Sequence, residues 1–164
     1  MGLDAIVHCD CFEKGKLSEP PPFPELVRLS EEGRPEIYTE DSAKQTIFDQ
    51  WEGRQPCPHE RFKFVHHYIG NIDGVSKLRN DLQSLAQKYG NHFPIALEKV
   101  VYSGTHCGDR LNKGDVLLLQ VELDELRTIT KTDSAGEVDR LRQFISQMNE
   151  LVEASLALNK PVVF

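Results

Sequence analysis

From residue 134 onward, apolar side chains recur at helical spacing: Val138, Leu141, Phe144, Ile145, Met148, Leu151, Val152 and Leu156. Ser134 and Glu137 have the spacing of a capping box, and Pro161 bars the helix from running far past Asn159. A long helix with one apolar face must lay that face against another layer. The rest of the chain therefore has to supply that layer, and Val162 to Phe164 reads as a short edge strand or a tail tucked into the core.

Upstream, strand and helix signals mix without a regular alternation. Leu3 to Phe12 reads as a strand, with Val7, Cys9 and Cys11 on one face and Ile6, His8 and Asp10 on the other. Pro20, Pro21, Pro22 and Pro24 make a stiff connector, and residues 26–29 and 36–38 flank a turn of hairpin type. A helix is expected from Ser42 and Gln45, with Ala43, Ile47, Phe48 and Trp51 inward and Gly53 as its stop. Phe62 to Ile69 alternates as a strand that points the adjacent His66 and His67 to opposite faces. Asp73 is the candidate cap of a second helix that ends at Gly90. Phe93 to Leu97 reads as a helical turn and Lys99 to Tyr102 as a strand. Asn112 or Asp115 then opens a helix in which Val116, Leu119, Leu123 and Leu126 form a stripe. The additional Leu117, Leu118 and Val121 imply unusually wide burial, and Glu122, Asp124 and Glu125 read as its solvated side. The expectation is one α+β domain over residues 1–164, a small, mainly antiparallel sheet packed by about four helices in a single layer on one face.

At 164 residues the chain can bury a full core without metal or disulfide help, so a metal would serve function and not size. A net charge of -7 argues against a phosphate-backbone binder and favours a basic protein partner. No apolar run is long enough to span a membrane, and residues 1–12 lack the pattern of a signal peptide. The expected address is cytoplasmic, where the four cysteines stay reduced.

Three segments concentrate the sulfur and imidazole groups: His8 to Cys11, Cys57 to Asn71, and Ser103 to Asp109. Cys9 with Cys11, and Cys57 with His59, each have the form ligand-x-ligand, so two such pairs face to face would supply the four donors of a closed zinc tetrahedron. The plainer alternative makes Cys9 and Cys11 small buried hydrophobes. A second grouping joins His66 or His67 to His106, Cys107 and Asp109, as a thiol nucleophile with a histidine base and an orienting carboxylate. Turn chemistry alone also accounts for His106 and Asp109. No phosphate-binding glycine loop, dinucleotide fingerprint, nucleophile elbow or calcium loop occurs.

Met1-Gly2-Leu3-Asp4, Cys9-Asp10-Cys11, His66-His67 with Gly70-Asn71, and Tyr102 to His106 with Gly108-Asp109 together resemble a family of small bacterial cytosolic proteins without an established activity. The resemblance spans much of residues 1–125 and implies no catalytic residue or cofactor. Its size and acidity suggest a non-enzymatic interaction role, such as an immunity partner of a toxin. The competing expectation is a small metal- or thiol-dependent enzyme.

Overall fold

The computed structural model describes residues 2–132 and 138–164. The capping-box pair Ser134 and Glu137 lies outside the described residues. Strands β1 (Gly2–His8), β4 (Lys63–Asn71), β5 (Arg110–Leu111) and β6 (Val162–Val163) form an antiparallel sheet in the order β4-β1-β6-β5. Helices α2 (Ile72–Tyr89), α3 (Lys113–Thr132) and α4 (Val138–Leu158) supply its apolar cover. Alternation along β1 explains the layering: Leu3, Ala5 and Val7 are fully buried toward the helices, while Asp4 and Ile6 are half-buried on the opposite face. On β4 the exposed Phe64, His66 and Tyr68 share that opposite face. The fold is α+β, as the pattern of elements implies.

Between β1 and β4 the chain builds a smaller lobe from the hairpin β2 (Val27–Leu29) and β3 (Pro35–Ile37) and helix α1 (Ser42–Gly53). It has its own apolar cluster of Val27, Ile37, Phe48, Trp51 and Phe62, completed by Cys9, Cys11 and Cys57. The Trp51 ring lies 5.1 Å from Phe48 and 5.9 Å from Phe62.

Several local expectations are corrected. β1 stops at His8, so Cys9 and Cys11 lie in the turn beyond it. Helix α1 is capped by Asp41, whose carboxylate accepts from the Ala43 and Lys44 amides, and Ile47 is exposed. Asn71, two residues before Asp73, caps α2 by accepting from the Gly74 amide. The helical turn expected over Phe93 to Leu97 continues as a turn of π-helix through residues 96–100, and no strand forms at Lys99 to Tyr102. Its first amides explain this: Glu122, only 6% exposed, accepts from Ile95 N–H and Ala96 N–H at 2.8 Å each, so it is a buried cap and not part of a solvated face. Leu117, Leu118 and Val121 turn outward, at 47%, 58% and 58% exposure. Of the two expectations for residues 162–164, an edge strand or a tail tucked into the core, burial holds and the edge does not: β6 lies inside the sheet between β1 and β5.

Candidate metal centre

Two short segments meet where the small lobe joins the sheet. Cys9 N–H donates to the Phe62 carbonyl at 2.8 Å, and Ser18 donates to the Pro56 carbonyl through both its amide and its hydroxyl. These bonds bring residues 9–18 against residues 56–62. Lys16 N–H closes back on the Cys11 carbonyl at 2.8 Å and curls the first segment around its two cysteines. In the second segment Gln55, Arg61 and Phe62 take left-handed backbone conformations, with φ of 54°, 47° and 61°. Each costs on the order of 1 kcal/mol for a residue bearing a side chain, so the packing around them must hold them there. Burial of Phe62 at 1% exposure is one such hold.

The consequence is a cluster of four donors. Cys9 Sγ lies 3.9 Å from Cys57 Sγ, Cys11 Sγ lies 3.4 Å from His59 Nδ1, and the ligand atoms of all four residues lie within 4.8 Å of one another. A zinc tetrahedron with bonds of about 2.3 Å to sulfur and 2.0 Å to nitrogen has S···S edges of about 3.8 Å and S···N edges of about 3.5 Å. Two of the edges thus already match. The three cysteines are buried, and the His59 ring is braced edge-on by Phe64 at 5.4 Å. The four residues can hold a metal ion.

Burial pushes the Cys9 thiol up to about 12, with the neighbouring Cys11 and Cys57 sulfurs adding to it, and burial raises Cys57 as well. Neutral Cys9 and Cys57 thiols are what the bare geometry favours, and the Cys57 thiol donates to the His59 carbonyl at 3.2 Å. A divalent cation would reverse that preference by supplying the charge that thiolates need. His8, in the same stretch, is not part of the cluster. It is 3% exposed, its Nδ1 lies 3.4 Å from the Phe62 carbonyl, and burial lowers it to about 4. Asp10 turns away to pair with Lys14, which holds its carboxyl below the ordinary range.

The second grouping is divided among separate partners. His66 Nε2 bonds Asp4 at 2.8 Å on the open face of the sheet, and His67 Nε2 bonds Glu150 of α4 at 2.9 Å on the helix side. His106 is packed between Tyr102 and Phe164, its Nε2 2.8 Å from the Val100 carbonyl and its Nδ1 3.3 Å from Asp109 Oδ2. Cys107 is exposed, and among the described residues no hydrogen bond joins it to any of these histidines. Asp109 also accepts from the Tyr102 hydroxyl, so its role is to order the loop that pairs with Phe164.

Lys160 is the residue near the centre that sequence reasoning missed. It is 6% exposed, donates to the Gly33 carbonyl at 2.8 Å and pairs with Glu13 at 2.5 Å, just beyond the Cys9-Cys11 turn. A lone lysine before a proline carries no sequence signal of this kind.

The site defines a class by its chemistry: a soft three-sulfur, one-nitrogen donor set supplied wholly by the protein. Comparison of the chain with protein-family models, curated proteins and solved structures gives no match, so the chain's own residues carry the reading.

Proposed function

We propose that this protein is a non-enzymatic, cytoplasmic interaction domain whose small lobe is fastened by a structural zinc ion at Cys9, Cys11, Cys57 and His59. The observation that carries the metal is the convergence of the two ligand pairs, 48 positions apart, to within 4.8 Å. Softness of the donors selects zinc over magnesium or calcium, which take oxygen ligands. Four protein ligands fill a tetrahedron, whereas catalytic zinc keeps one position for water or substrate. The assignment is therefore structural.

The interaction role rests on charge. At -7 overall, the surface attracts a basic protein partner and repels nucleic acid, and among the described residues no helix is long and apolar enough to cross a membrane. Neutralisation of a basic toxin is one form this role takes.

Elemental analysis of protein purified without added metal tests the first part, with one zinc per chain expected and its loss expected in Cys9→Ser and Cys57→Ser. Metal-free protein that also fails to take up zinc or cobalt(II) in titration would overturn it. For the second part, a pulldown from cells at increasing salt is expected to release a basic partner. Retention of nothing at low salt counts against that role.

A further inference from the structure

The outward side of α3 carries a feature that the metal centre and the net charge leave unexplained. Leu117, Leu118 and Val121 are about half exposed on one stripe of a helix whose other stripe is fully used in the core. Contiguous exposed apolar residues of this kind mark contact sites more often than isolated ones do. The stripe begins at Lys113 and Gly114 and ends at Glu125, whose carboxylate accepts from the Asn91 amide, while Asp124 beside it is paired with Arg127; a cation and the positive end of the helix thus lie on one side of the leucines and the Glu125 carboxylate on the other.

That arrangement is self-complementary under a two-fold rotation. We propose that the α3 stripe is the contact between two copies of this chain, with the two helices antiparallel. An axis passing between residues 119 and 120 sets Leu118 of one copy against Val121 of the other, and the same contact repeats by symmetry. It also brings the Lys113-Gly114 end of each helix over Glu125 of its mate. The glycine has no side chain to hold the helices apart there, and the two helix dipoles run in opposition. Beside Val121, a groove of about 400 Å³ lined by Asn91, Asp124, Glu125, Thr128 and Ile129 takes the facing Leu118 at its Val121 edge and gives the Lys113-Gly114 end of the mate room beyond it. The proposal is independent of the metal centre and of any basic partner.

Sedimentation velocity of the full chain over a concentration series provides the test. The wild type is expected to show a concentration-dependent monomer-dimer equilibrium. Leu118→Glu and Val121→Glu each weaken it by about tenfold or more, as loss of a central anchor does. Both positions are exposed, so far-UV circular dichroism and the melting temperature stay near wild type. Lys113→Glu and Glu125→Lys each weaken association, and the double variant, which restores opposite charges across the axis, recovers it. A wild type that stays monomeric at the highest concentration, a dimer indifferent to Leu118→Glu, or a double charge swap no better than its parents would overturn the proposal. So would a monomer whose Leu118 face instead captures a helical peptide.

Discussion

Lys160 Nζ donates to the Gly33 carbonyl oxygen at 2.8 Å, joining the C-terminal end of the sheet to the β2-β3 turn across 127 positions of sequence. With Glu13 accepting from the same ammonium at 2.5 Å, one buried cation ties the sheet to both the hairpin and the segment that carries Cys9 and Cys11. The small lobe is therefore anchored twice, by this cation and by the backbone ladder beside the four metal donors.

Substitutions at either end of this contact are expected to loosen the lobe. Lys160→Met leaves the Gly33 carbonyl without its donor, at about 1–3 kcal/mol. Gly33→Ala meets a different obstacle: the backbone has φ of 83°, and an added Cβ would lie 2.8 Å from Lys160 Cδ. It is expected to cost about 1–2 kcal/mol or more. Urea midpoints measure both, and an unchanged midpoint in both variants would mean that the contact contributes nothing.

Metal removal has an optical readout. Trp51 is the sole tryptophan, fully buried, and shares its cluster with Cys9, Cys11 and Cys57. A chelator is expected to shift its emission to longer wavelength while the helical signal of α2, α3 and α4 persists. Zinc held at 100 times its dissociation constant stabilises by about 2.7 kcal/mol, which corresponds to roughly 5–10 °C in melting temperature. Identical melting curves with and without chelator would count against a metal-dependent lobe.

The thiols are expected to divide by reactivity. Cys107 is exposed, whereas Cys9 and Cys57 combine burial with raised proton affinity. Alkylation followed by mass spectrometry should modify Cys107 at least about tenfold faster, with the other three released by a chelator. Cys107→Ser should keep the full metal content. Equal labelling of all four cysteines in the untreated protein would contradict the geometry.

Glu122 gives a pH dependence. Burial raises its carboxyl above the ordinary glutamate value despite two backbone donors, so the folded state holds the proton to higher pH than the unfolded state does. Stability from this group is full below the unfolded value and falls as pH rises through the folded one. Glu122→Gln removes the titration and leaves one of the two amides without an acceptor, so at neutral pH the variant is less stable by about 1–2 kcal/mol. Relative to that variant, the wild type is expected to lose stability as pH rises from the ordinary glutamate range. Denaturant midpoints of the two proteins across that range check the sign.

What sequence reveals here follows from how local the information is. The ligand-x-ligand spacing of Cys9-Cys11 and Cys57-His59 is visible because it spans three residues; that the pairs meet depends on the Ser18–Pro56 and Cys9–Phe62 bonds between distant segments. The core face of α4 is legible through its period, and so is Gly90, whose φ of 68° ends α2. Val100 and Val101 favour a strand by propensity, but Glu122, more than twenty positions away, caps the turn that takes in Val100 and ends at Val101. Hydrophobicity likewise groups Leu117 with Leu119 and cannot say that one faces water and the other the core.

The placement of β6 bears on the order in which the molecule assembles. Residues 162 and 163 lie between β1, made first, and β5, so no two of these three strands can be in final register until the last of them leaves the ribosome. The β1–β4 partners and the four donors all lie within residues 2–71, whereas the Lys160 anchor on Gly33 and Glu13 is made only at the end. Synthesis therefore supplies all four donors well before the barrier set by this late, long-range closure, and the Lys160 anchor that comes with it, is crossed.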